Sequence, residues 1–296
     1  EKSFGKLSYL ENSTEVTQST IYDIASITKV LSVTPITMKL ISQKKLSLEH
    51  TLDQYYLNLY KTEKGTISIR NLLTHSSGLK PFIEFYKEDS RMQKDEMIEK
   101  ILNLNLDFSP GEKMQYSDLG IIILMDVIEK VSGSTLDELC DKWIFNKIDM
   151  LSTSYNPDAL LVAKIAPTED DDYYRNRLLR GEVHDENAYL LGGVSGHAGI
   201  FSNAHDLAKY AQLFLNKGTW LGNRIFSDSR IDEFTTRQNL PPGSDYALGW
   251  DTPSRNGKSS AGDYFSDKSY GHLGFTGTSL WVDSGNDVIV VLLTNR

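Results

Sequence analysis

Residues 22–30 read YDIASITKV, and this stretch places a serine and a lysine three positions apart at the start of an apolar run with helical spacing. Residues i and i+3 share one face of a helix, so a helix that begins near Ala25 directs the Ser26 hydroxyl and the Lys29 amine into the same space. A serine becomes a good nucleophile only beside a base or a charge that favours its alkoxide, and the positive end of a helix adds to this effect. The stretch therefore predicts a nucleophilic Ser26 assisted by Lys29.

The Ser-x-x-Lys pattern is a weak signal by itself, because besides Ser26 it occurs elsewhere in the chain, for example beginning at Ser3 and at Ser42. Ser42 falls at the polar end of a predicted helix and Ser3 lies near the N-terminus, so we interpret both as solvated positions. Only Ser26 is flanked by apolar residues on both sides. On this pattern alone, a helix N-cap explains Ser26 as well as a nucleophile does.

The composition describes a large globular chain. Its 296 residues, 40% of them hydrophobic, can bury a substantial core as one domain or as two joined lobes. The formal net charge of -9 disfavours nucleic acid and anionic membranes as partners, because no basic stripe is available to replace counterions. The single Cys140 excludes an internal disulfide, and the longest apolar runs, 121–125 and 288–293, are too short to span a bilayer.

The ends of the sequence suggest a piece of a longer polypeptide. The chain begins without methionine or a basic and apolar leader, and it stops at Arg296 directly after a strand-like run. We therefore expect a trimmed chain from which any export signal has been removed or excluded.

Hydrophobic periodicity predicts a helical middle and a strand-rich C-terminal part. The pattern predicts a short strand over 4–10 and a helix from Ser26 to about Lys44 that is kinked at Pro35. Further helices are predicted over 48–59, 69–73, 95–104, 119–131, 134–145 and 206–215. Successive antiparallel strands are predicted at 249–250, 270–272, 278–282 and 287–293, and the last is so apolar that we expect it to be covered on both faces.

This order of elements predicts an α/β (α+β) fold with a central antiparallel sheet flanked by helices and an inserted all-helical lobe. The α/β lobe is predicted to comprise residues 1–65 and 192–296, and the mainly helical lobe residues 66–191. Both lobes would belong to a single domain.

Two further motifs give the Ser26 pattern its meaning. Tyr116-Ser117-Asp118 stands where a turn enters a helix, and His272-Leu273-Gly274 stands on a late strand before residues 275–278. Ser-x-x-Lys, then Tyr-x-Asn or Ser-Asp-Asn, then Lys-Thr-Gly is the ordered motif set of β-lactamases and penicillin-binding proteins. The sequence resembles that superfamily, and because its middle motif begins with tyrosine it resembles the class C branch, with the D-alanyl-D-alanine carboxypeptidases and β-lactamase-like esterases.

The resemblance covers nearly the whole chain, with further hallmarks at 72–79 and 201–208, and it implies a β-lactamase/transpeptidase-like fold without a metal ion or other cofactor. It implies that Ser26 attacks a carbonyl and becomes acylated, that Lys29 orients it and relays its proton, and that Tyr116 is the general base that later activates water.

The resemblance also implies supporting residues. The oxyanion would lie between the backbone N–H groups of Ser26 and Phe275, and Gly274 and Asp118 belong to the motifs around it. His184, His197 and Thr276 are candidate substrate-binding residues.

Two positions depart from the family pattern. His272 replaces the lysine of the third motif, which makes the positive field at that position dependent on pH. Asp118 replaces an asparagine; an ionised aspartate can pair with Lys29 but cannot donate a hydrogen bond to a substrate carbonyl. We therefore expect weak or no hydrolysis of penicillins.

Residues 181–202 resemble a sub-branch of serine hydrolases found beside, or fused to, β-N-acetylglucosaminidases, which includes muramoyl-L-alanine amidases. This resemblance implies a muropeptide or related acyl-sugar substrate, a periplasmic or other extracytoplasmic location, and compatibility with fusion to a glycosidase.

The remaining histidines have simpler interpretations. His75 is interpreted as a turn-stabilising residue, because its motif closes a helix. A metal cluster is disfavoured, because no pair has His-x-x-x-His spacing; its candidates would be His184, Asp185, His197 and His205.

The sequence thus predicts a serine hydrolase that forms an acyl-enzyme with an amide or ester, in a cell-wall-derived peptide or muropeptide. Two alternatives stay open: a carboxylesterase of the same fold, and a catalytically silent, penicillin-binding-like sensor domain in which Ser26 is never acylated.

Overall fold

The computed structural model describes residues 1–255 and 257–295. The α-helices are α1 (Thr28–Leu31), α2 (Val33–Ser42), α3 (Ile69–Leu73), α4 (Phe85–Glu88), α5 (Lys94–Asn103), α6 (Asp118–Ser132), α7 (Leu136–Trp143), α8 (Glu186–Leu190), α9 (Ala204–Leu215) and α10 (Asp228–Thr235). The strands are β1 (Tyr22–Asp23), β2 (Ser154–Tyr155), β3 (Asp170–Asp171), β4 (Arg177–Leu178), β5 (Ile200–Ser202), β6 (Thr219–Trp220), β7 (Asn223–Arg224), β8 (Ser269–Gly274), β9 (Thr278–Asp283) and β10 (Val288–Leu292). Short 3₁₀-helices span Ala25–Ile27, Leu52–Gln54, Leu57–Leu59, Lys64–Thr66, Phe145–Lys147 and Ala159–Lys164.

The C-terminal strands form an antiparallel meander in the spatial order β10-β9-β8. This arrangement confirms the strands predicted over 270–272, 278–282 and 287–293 and their antiparallel pairing. Strand β8 forms one edge of this sheet, and both β8 and β9 contact the 3₁₀-helix that carries Ser26. The third motif, on β8, is thereby brought beside the first.

A second, smaller sheet holds the segment that precedes Ser26. Strand β1 pairs antiparallel with β5, with Tyr22 opposite Ser202 and Asp23 opposite Phe201. Strand β2 pairs with the other edge of β5. The chain entering the Ser26 turn is therefore fixed to the segment that follows the glycine-rich residues 192–199.

Helix α6 is the central helix of the core and positions the middle motif. Its residues 119–128 are all buried, as expected of a helix that is apolar around its circumference. The Ser117 side chain caps its first turn by accepting the N–H of Gly120 at 3.0 Å, and Gly133, with a φ of 72°, ends it. Burial of each large aliphatic side chain contributes about 1.5–3 kcal/mol to such a core.

The helix predicted from Ser26 to Lys44 is divided in two. It is interrupted at Ser32, whose φ and ψ are −118° and −88°, and not at Pro35. Pro35 lies in the first turn of α2, where a backbone N–H would have no partner within the helix, so proline fits there. The prediction of a proline kink was therefore wrong by three residues.

Two predicted strands are absent from the described part of the chain. Residues 4–10 form only an isolated bridge between Lys6 and Glu15. Gly249 has a φ of 83° and lies in a turn, while Trp250 is buried among the rings of α9 and β8. The apolar character of 249–250 comes from this aromatic cluster rather than from strand pairing.

Strand β10 is not covered on both faces, contrary to expectation. Ile289 and Val291 pack against the core, whereas Val288, Val290 and Leu292 point outward and are 42–57% exposed. The run is apolar on both faces although only one of them meets α9.

Apart from the helix predicted over 48–59, the remaining helix predictions agree with the structure to within a few residues, and α3 coincides with its predicted range. The prediction over 48–59 was wrong: this region contains only the 3₁₀-helices Leu52–Gln54 and Leu57–Leu59, because the carbonyls of Leu48 and His50 accept N–H groups of Arg70 and Ile69 instead. Helices α4, α8 and α10 were not predicted, because each is short or weakly periodic. The assignment of 1–65 plus 192–296 and of 66–191 to two lobes stays a prediction. Within 1–255 and 257–295, no helix is long and apolar enough to cross a bilayer.

Candidate active site

Ser26 lies on a strained turn between β1 and α1. Ala25, directly before it, has a φ of 45°, which is unfavourable for a residue with a Cβ. The Asp23 carboxylate holds this turn, because it accepts the N–H of Ala25 at 2.8 Å and the N–H of His184 at 2.7 Å. Sequence reasoning missed Asp23, whose second partner is 161 positions away along the chain.

The Lys29 ammonium is fully buried and is surrounded by acceptors. Its Nζ donates to Ser26 Oγ at 2.9 Å and to the carbonyl of His197 at 3.1 Å, and it pairs with Asp118 Oδ1 at 2.8 Å. Lys29 and Ser26 thus share one space, as the spacing predicts, and Asp118 makes the ion pair expected of an aspartate at its position.

Tyr116 completes this group from the loop before α6. Its hydroxyl interacts with the Ser26 side chain, and Lys29 Nζ lies 4.8 Å from the centre of its ring. Burial, followed by the negative charge of Asp118, raises the Tyr116 pKa well above its usual value of 10. The resting phenol is therefore protonated at neutral pH.

His272 lies on β8 with its ring centre 5.9 Å from that of Tyr116. Its Nδ1 is 2.7 Å from the carbonyl of Leu273; because a carbonyl only accepts, Nδ1 carries the proton and Nε2 is an acceptor. Burial and the charge of Lys29 lower the His272 pKa to about 4. His272 is thus neutral at pH 7, so the positive field predicted there is absent except in acid.

The end of β8 lies close against the Ser26 turn. A Cβ on Gly274 would lie 2.0 Å from Thr278 Oγ1 and 2.5 Å from the carbonyl oxygen of Ile24, so only glycine fits without a shift. Phe275 follows with a 68% exposed side chain that borders the cleft beside Ser26. This approach brings the backbone of both segments together.

Thr276 contacts the Ser26 turn. Its hydroxyl donates to the carbonyl of Asp23 at 2.7 Å, and Thr278 makes the equivalent bond to Ile24 at 3.1 Å. Both threonines tie the sheet to the turn. The substrate-binding role of Thr276 stays a prediction, and its oxygen is already engaged.

The two candidate substrate-binding histidines differ in their positions. His184 lines the cleft, its Nε2 is bonded to Glu169, and its ring centre lies 5.6 Å from that of Phe275. His197 is buried between Ser195 Oγ at 2.7 Å and Asp185 Oδ1 at 2.8 Å. The structure therefore brings only His184 to the cleft wall, whereas His197 fixes the carbonyl that faces Lys29.

His75 stabilises its turn and also supports Tyr116. It has a φ of 52°, and its Nδ1 accepts the N–H of Ser117 at 3.2 Å. Its ring centre lies 4.4 Å from that of Tyr116. The turn-stabilising interpretation agrees with this geometry, but the contact with Tyr116 could not be deduced from the sequence.

Ser26, Tyr116 and Asp118 open onto a cleft of about 510 Å³, which we call the Ser26 cleft. Its other lining residues are aromatic, acidic or small: Ala25, Phe82, Glu84, Tyr86, Glu169, Tyr173, His184, Asp185, Glu186, Ala198 and Phe275. His205 is exposed on α9 and does not join them. Across 1–255 and 257–295, no three His, Cys, Asp or Glu side chains are arranged to hold a metal ion.

Comparison with solved structures identifies the fold class. The chain superimposes on the penicillin-binding protein from Bacillus halodurans with a TM-score of 0.76 and 21% identity, covering 99% of this chain and 87% of that one. The class C β-lactamase from Rhodobacter sphaeroides gives a TM-score of 0.73 at 18% identity, with 99% and 85% covered. The predicted β-lactamase/transpeptidase-like fold is confirmed.

Sequence comparison places the chain within this class. The family model described as Beta-lactamase matches residues 2–296. The "N-acetylmuramyl-L-alanine amidase" of Bacillus subtilis is 33% identical over 94% of this chain and 68% of its own length. The chain therefore belongs to the β-lactamase family of hydrolases, which confirms the resemblance inferred from its motifs.

Proposed function

We propose that this chain is a serine hydrolase that forms an acyl-enzyme through Ser26. The observation that carries the proposal is the contact of Lys29 Nζ with Ser26 Oγ at 2.9 Å, beside a cleft that both Ser26 and Tyr116 line. A nucleophile with an adjacent proton-transfer group and an oriented cation is the arrangement that covalent catalysis requires.

Acylation can proceed without a free tyrosinate. Lys29 donates to Ser26 Oγ, so the Ser26 hydroxyl proton is not used in that contact and is available for transfer to Tyr116. As Ser26 Oγ bonds to the carbonyl carbon, its proton passes to Tyr116, and Tyr116 gives its own proton to the departing amine or alkoxide. The raised pKa of Tyr116 favours this exchange over a resting anion.

The developing oxyanion is proposed to lie between the backbone N–H groups of Ser26 and Phe275. Gly274 allows β8 to approach the Ser26 turn, and loss of one such donor typically costs a factor of about 10²–10³ in rate. In deacylation a water replaces the leaving group; Tyr116 takes a proton from it and returns one to Ser26.

The proposed substrate is an amide or ester of a cell-wall-derived peptide, a muropeptide in the first instance. Support comes from the B. subtilis relative named amidase and from an Escherichia coli relative named "Putative D-alanyl-D-alanine carboxypeptidase", 30% identical over 97% of this chain and 71% of its own length. Both names refer to chemistry on peptidoglycan fragments. An extracytoplasmic location and association with a glycosidase are part of the same proposal.

Reaction with a fluorophosphonate, followed by intact mass, tests for a nucleophilic serine. We expect one adduct per chain that is lost in Ser26→Ala. The sensor alternative requires that no adduct and no turnover occur in the wild type.

Digestion of purified muropeptides tests the substrate. Tyr116→Phe removes the proton path but keeps the ring, so we expect a rate loss of roughly 10²–10⁴-fold with unchanged products. Turnover of short acyl nitrophenyl esters, with no muropeptide cleavage by the wild type, would instead support the carboxylesterase alternative.

A further inference from the structure

The Ser26 cleft is lined with negative charge. The carboxylates among its lining residues belong to Glu84, Asp118, Glu169, Asp185 and Glu186, and no lysine or arginine is among the described residues that line it. A cleft lined by one sign of charge, with low-dielectric walls, repels ligand groups of the same sign.

The nearest cations are already engaged. Lys29 is held by Asp118 and Ser26. Lys87, at the rim, pairs with Glu84 at 2.7 Å and is largely exposed, so solvent screens it. These two ion pairs also cancel the charges of Asp118 and Glu84, so the excess carboxylates of the lining are Glu169, Asp185 and Glu186.

Glu186 adds a carboxylate without a cationic partner. It is only 9% exposed, and among the described ion pairs it has none; its recorded side-chain partner is the hydroxyl of Tyr173. Burial, followed by the hydrogen bond to Glu186, raises the pKa of Tyr173, and burial followed by the charge of Glu186 raises the pKa of Tyr86. The Glu186 carboxylate is therefore close to both phenols in this wall of the cleft.

His272 supplies an acceptor where the family motif has a cation. It is 4% exposed, its Nδ1–H is committed to the Leu273 carbonyl, and Nε2 has no hydrogen-bond partner in the described structure. His272 is not among the residues that line the cleft, and its buried, neutral ring supplies no positive charge that could attract a carboxylate of a substrate.

We propose that the Ser26 cleft selects substrates that are neutral or cationic next to the scissile bond and rejects those with a free carboxylate there. The inference rests on the proposed acyl-enzyme function and specifies its substrate class. It favours cleavage at an internal amide or ester, whose leaving group is capped or bears an amine, over removal of a C-terminal residue with its α-carboxylate.

Three hippuryl thioesters test this selection. They share the same acyl group and differ only in the leaving thiol, which carries a carboxylate, a carboxamide or an ammonium group. We expect kcat/KM for the carboxamide and ammonium thioesters to exceed that for the carboxylate by at least about 10-fold at low ionic strength. The ratio should shrink as salt is added, because screening weakens repulsion. This salt series needs no variant and therefore does not depend on any variant folding.

Single substitutions test which residues cause the discrimination against a carboxylate leaving group. Glu186→Gln and His272→Lys should each raise the carboxylate-to-carboxamide ratio of kcat/KM by about 5-fold or more, whereas Glu138→Gln, an equal charge change on the exposed face of α7, should leave it unchanged. Equal kcat/KM values for all three thioesters, or a higher value for the carboxylate thioester, would overturn the inference. If the fluorophosphonate adduct still formed, the proposed acyl-enzyme function would stand. Absence of both adduct and turnover would overturn both.

Discussion

At the scale of single residues, Asp23 stabilises the Ser26 turn although it lies outside the three motifs. Its carboxylate accepts N–H groups from Ala25 and His184, and Ala25 has the positive φ that places Ser26. The carboxylate is buried, so each of its oxygens is needed to keep a backbone donor satisfied.

Asp23→Asn should therefore misplace Ser26, because an amide replaces one acceptor oxygen with a donor that faces an N–H. We expect kcat to fall by roughly 10–100-fold with a smaller change in KM, and fluorophosphonate labelling to slow in parallel. The matched variant is Asp232→Asn, on the surface of α10, where the exposed carboxylate pairs with Lys217. Equal rates for wild type and Asp23→Asn would show that the Ser26 turn keeps its conformation without the Asp23 carboxylate.

The neutral state of His272 in the folded chain makes the free energy of unfolding depend on pH. The unfolded chain binds a proton at this residue near pH 6.5, whereas the folded chain binds it only near pH 4. The free energy of unfolding should therefore fall as pH drops from about 6.5 to about 4, by up to about 3 kcal/mol from this residue, and it should change no further from this cause below pH 4. His75, whose pKa is lowered mainly by burial, acts in the same direction.

Urea unfolding at pH 7 and pH 4.5 checks this linkage. His272→Gln cannot titrate, so its loss of stability between these pH values should be smaller than that of the wild type. Equal losses would mean that His272 does not resist protonation in the folded chain. An NMR titration that gives His272 a pKa near 6.5 would contradict the account independently.

At the scale of elements, the junction of β8 with the Ser26 turn has no room for a side chain at Gly274. Gly274→Ala should push β8 away from Ile24 and widen the predicted oxyanion site, lowering kcat/KM by about 100-fold. The matched variant is Gly120→Ala in α6, where a Cβ meets its neighbours at 3.5 Å or more and alanine is the better helix former. We expect Gly120→Ala to keep its activity, and a Gly274→Ala enzyme of normal activity would contradict the close approach.

Substitutions on the two faces of β10 should have different effects on the free energy of unfolding. Ile289 packs against the core, and Val290 points outward. Ile289→Thr should lower the free energy of unfolding by about 1–3 kcal/mol, while Val290→Thr should change it by no more than about 0.5 kcal/mol. Chemical denaturation measures both free energies of unfolding. A larger loss for Val290→Thr than for Ile289→Thr would show that the face assigned here to the core is the wrong one.

At the scale of the whole molecule, the parts that sequence reasoning predicts are those determined by local spacing and order. The i, i+3 spacing predicts the contact of Ser26 with Lys29, and the family resemblance carried by the three ordered motifs predicts that Tyr116 and β8 converge on it. Alternating or helical patterns predict α6 and the C-terminal sheet, since both are long enough for periodicity to be clear.

The parts that it misses depend on distant neighbours. The hydrogen bonds between Asp23 and His184 and between Lys29 and the His197 carbonyl join residues more than 160 positions apart, and no local sequence pattern predicts them. The neutrality of His272 follows from its burial beside Lys29, which sequence spacing cannot supply. The outer face of β10 is apolar without being covered, so composition alone predicts the wrong burial.

The central claim is that Ser26 carries a covalent acyl group during turnover. Acid quench of the enzyme during turnover of the hippuryl carboxamide thioester, followed by intact mass and peptide mapping, tests it most directly. We predict one hippuryl adduct on the peptide that contains Ser26, formed at a rate that accounts for turnover and absent in Ser26→Ala. Turnover retained by Ser26→Ala, or an adduct on any other residue, would contradict the account.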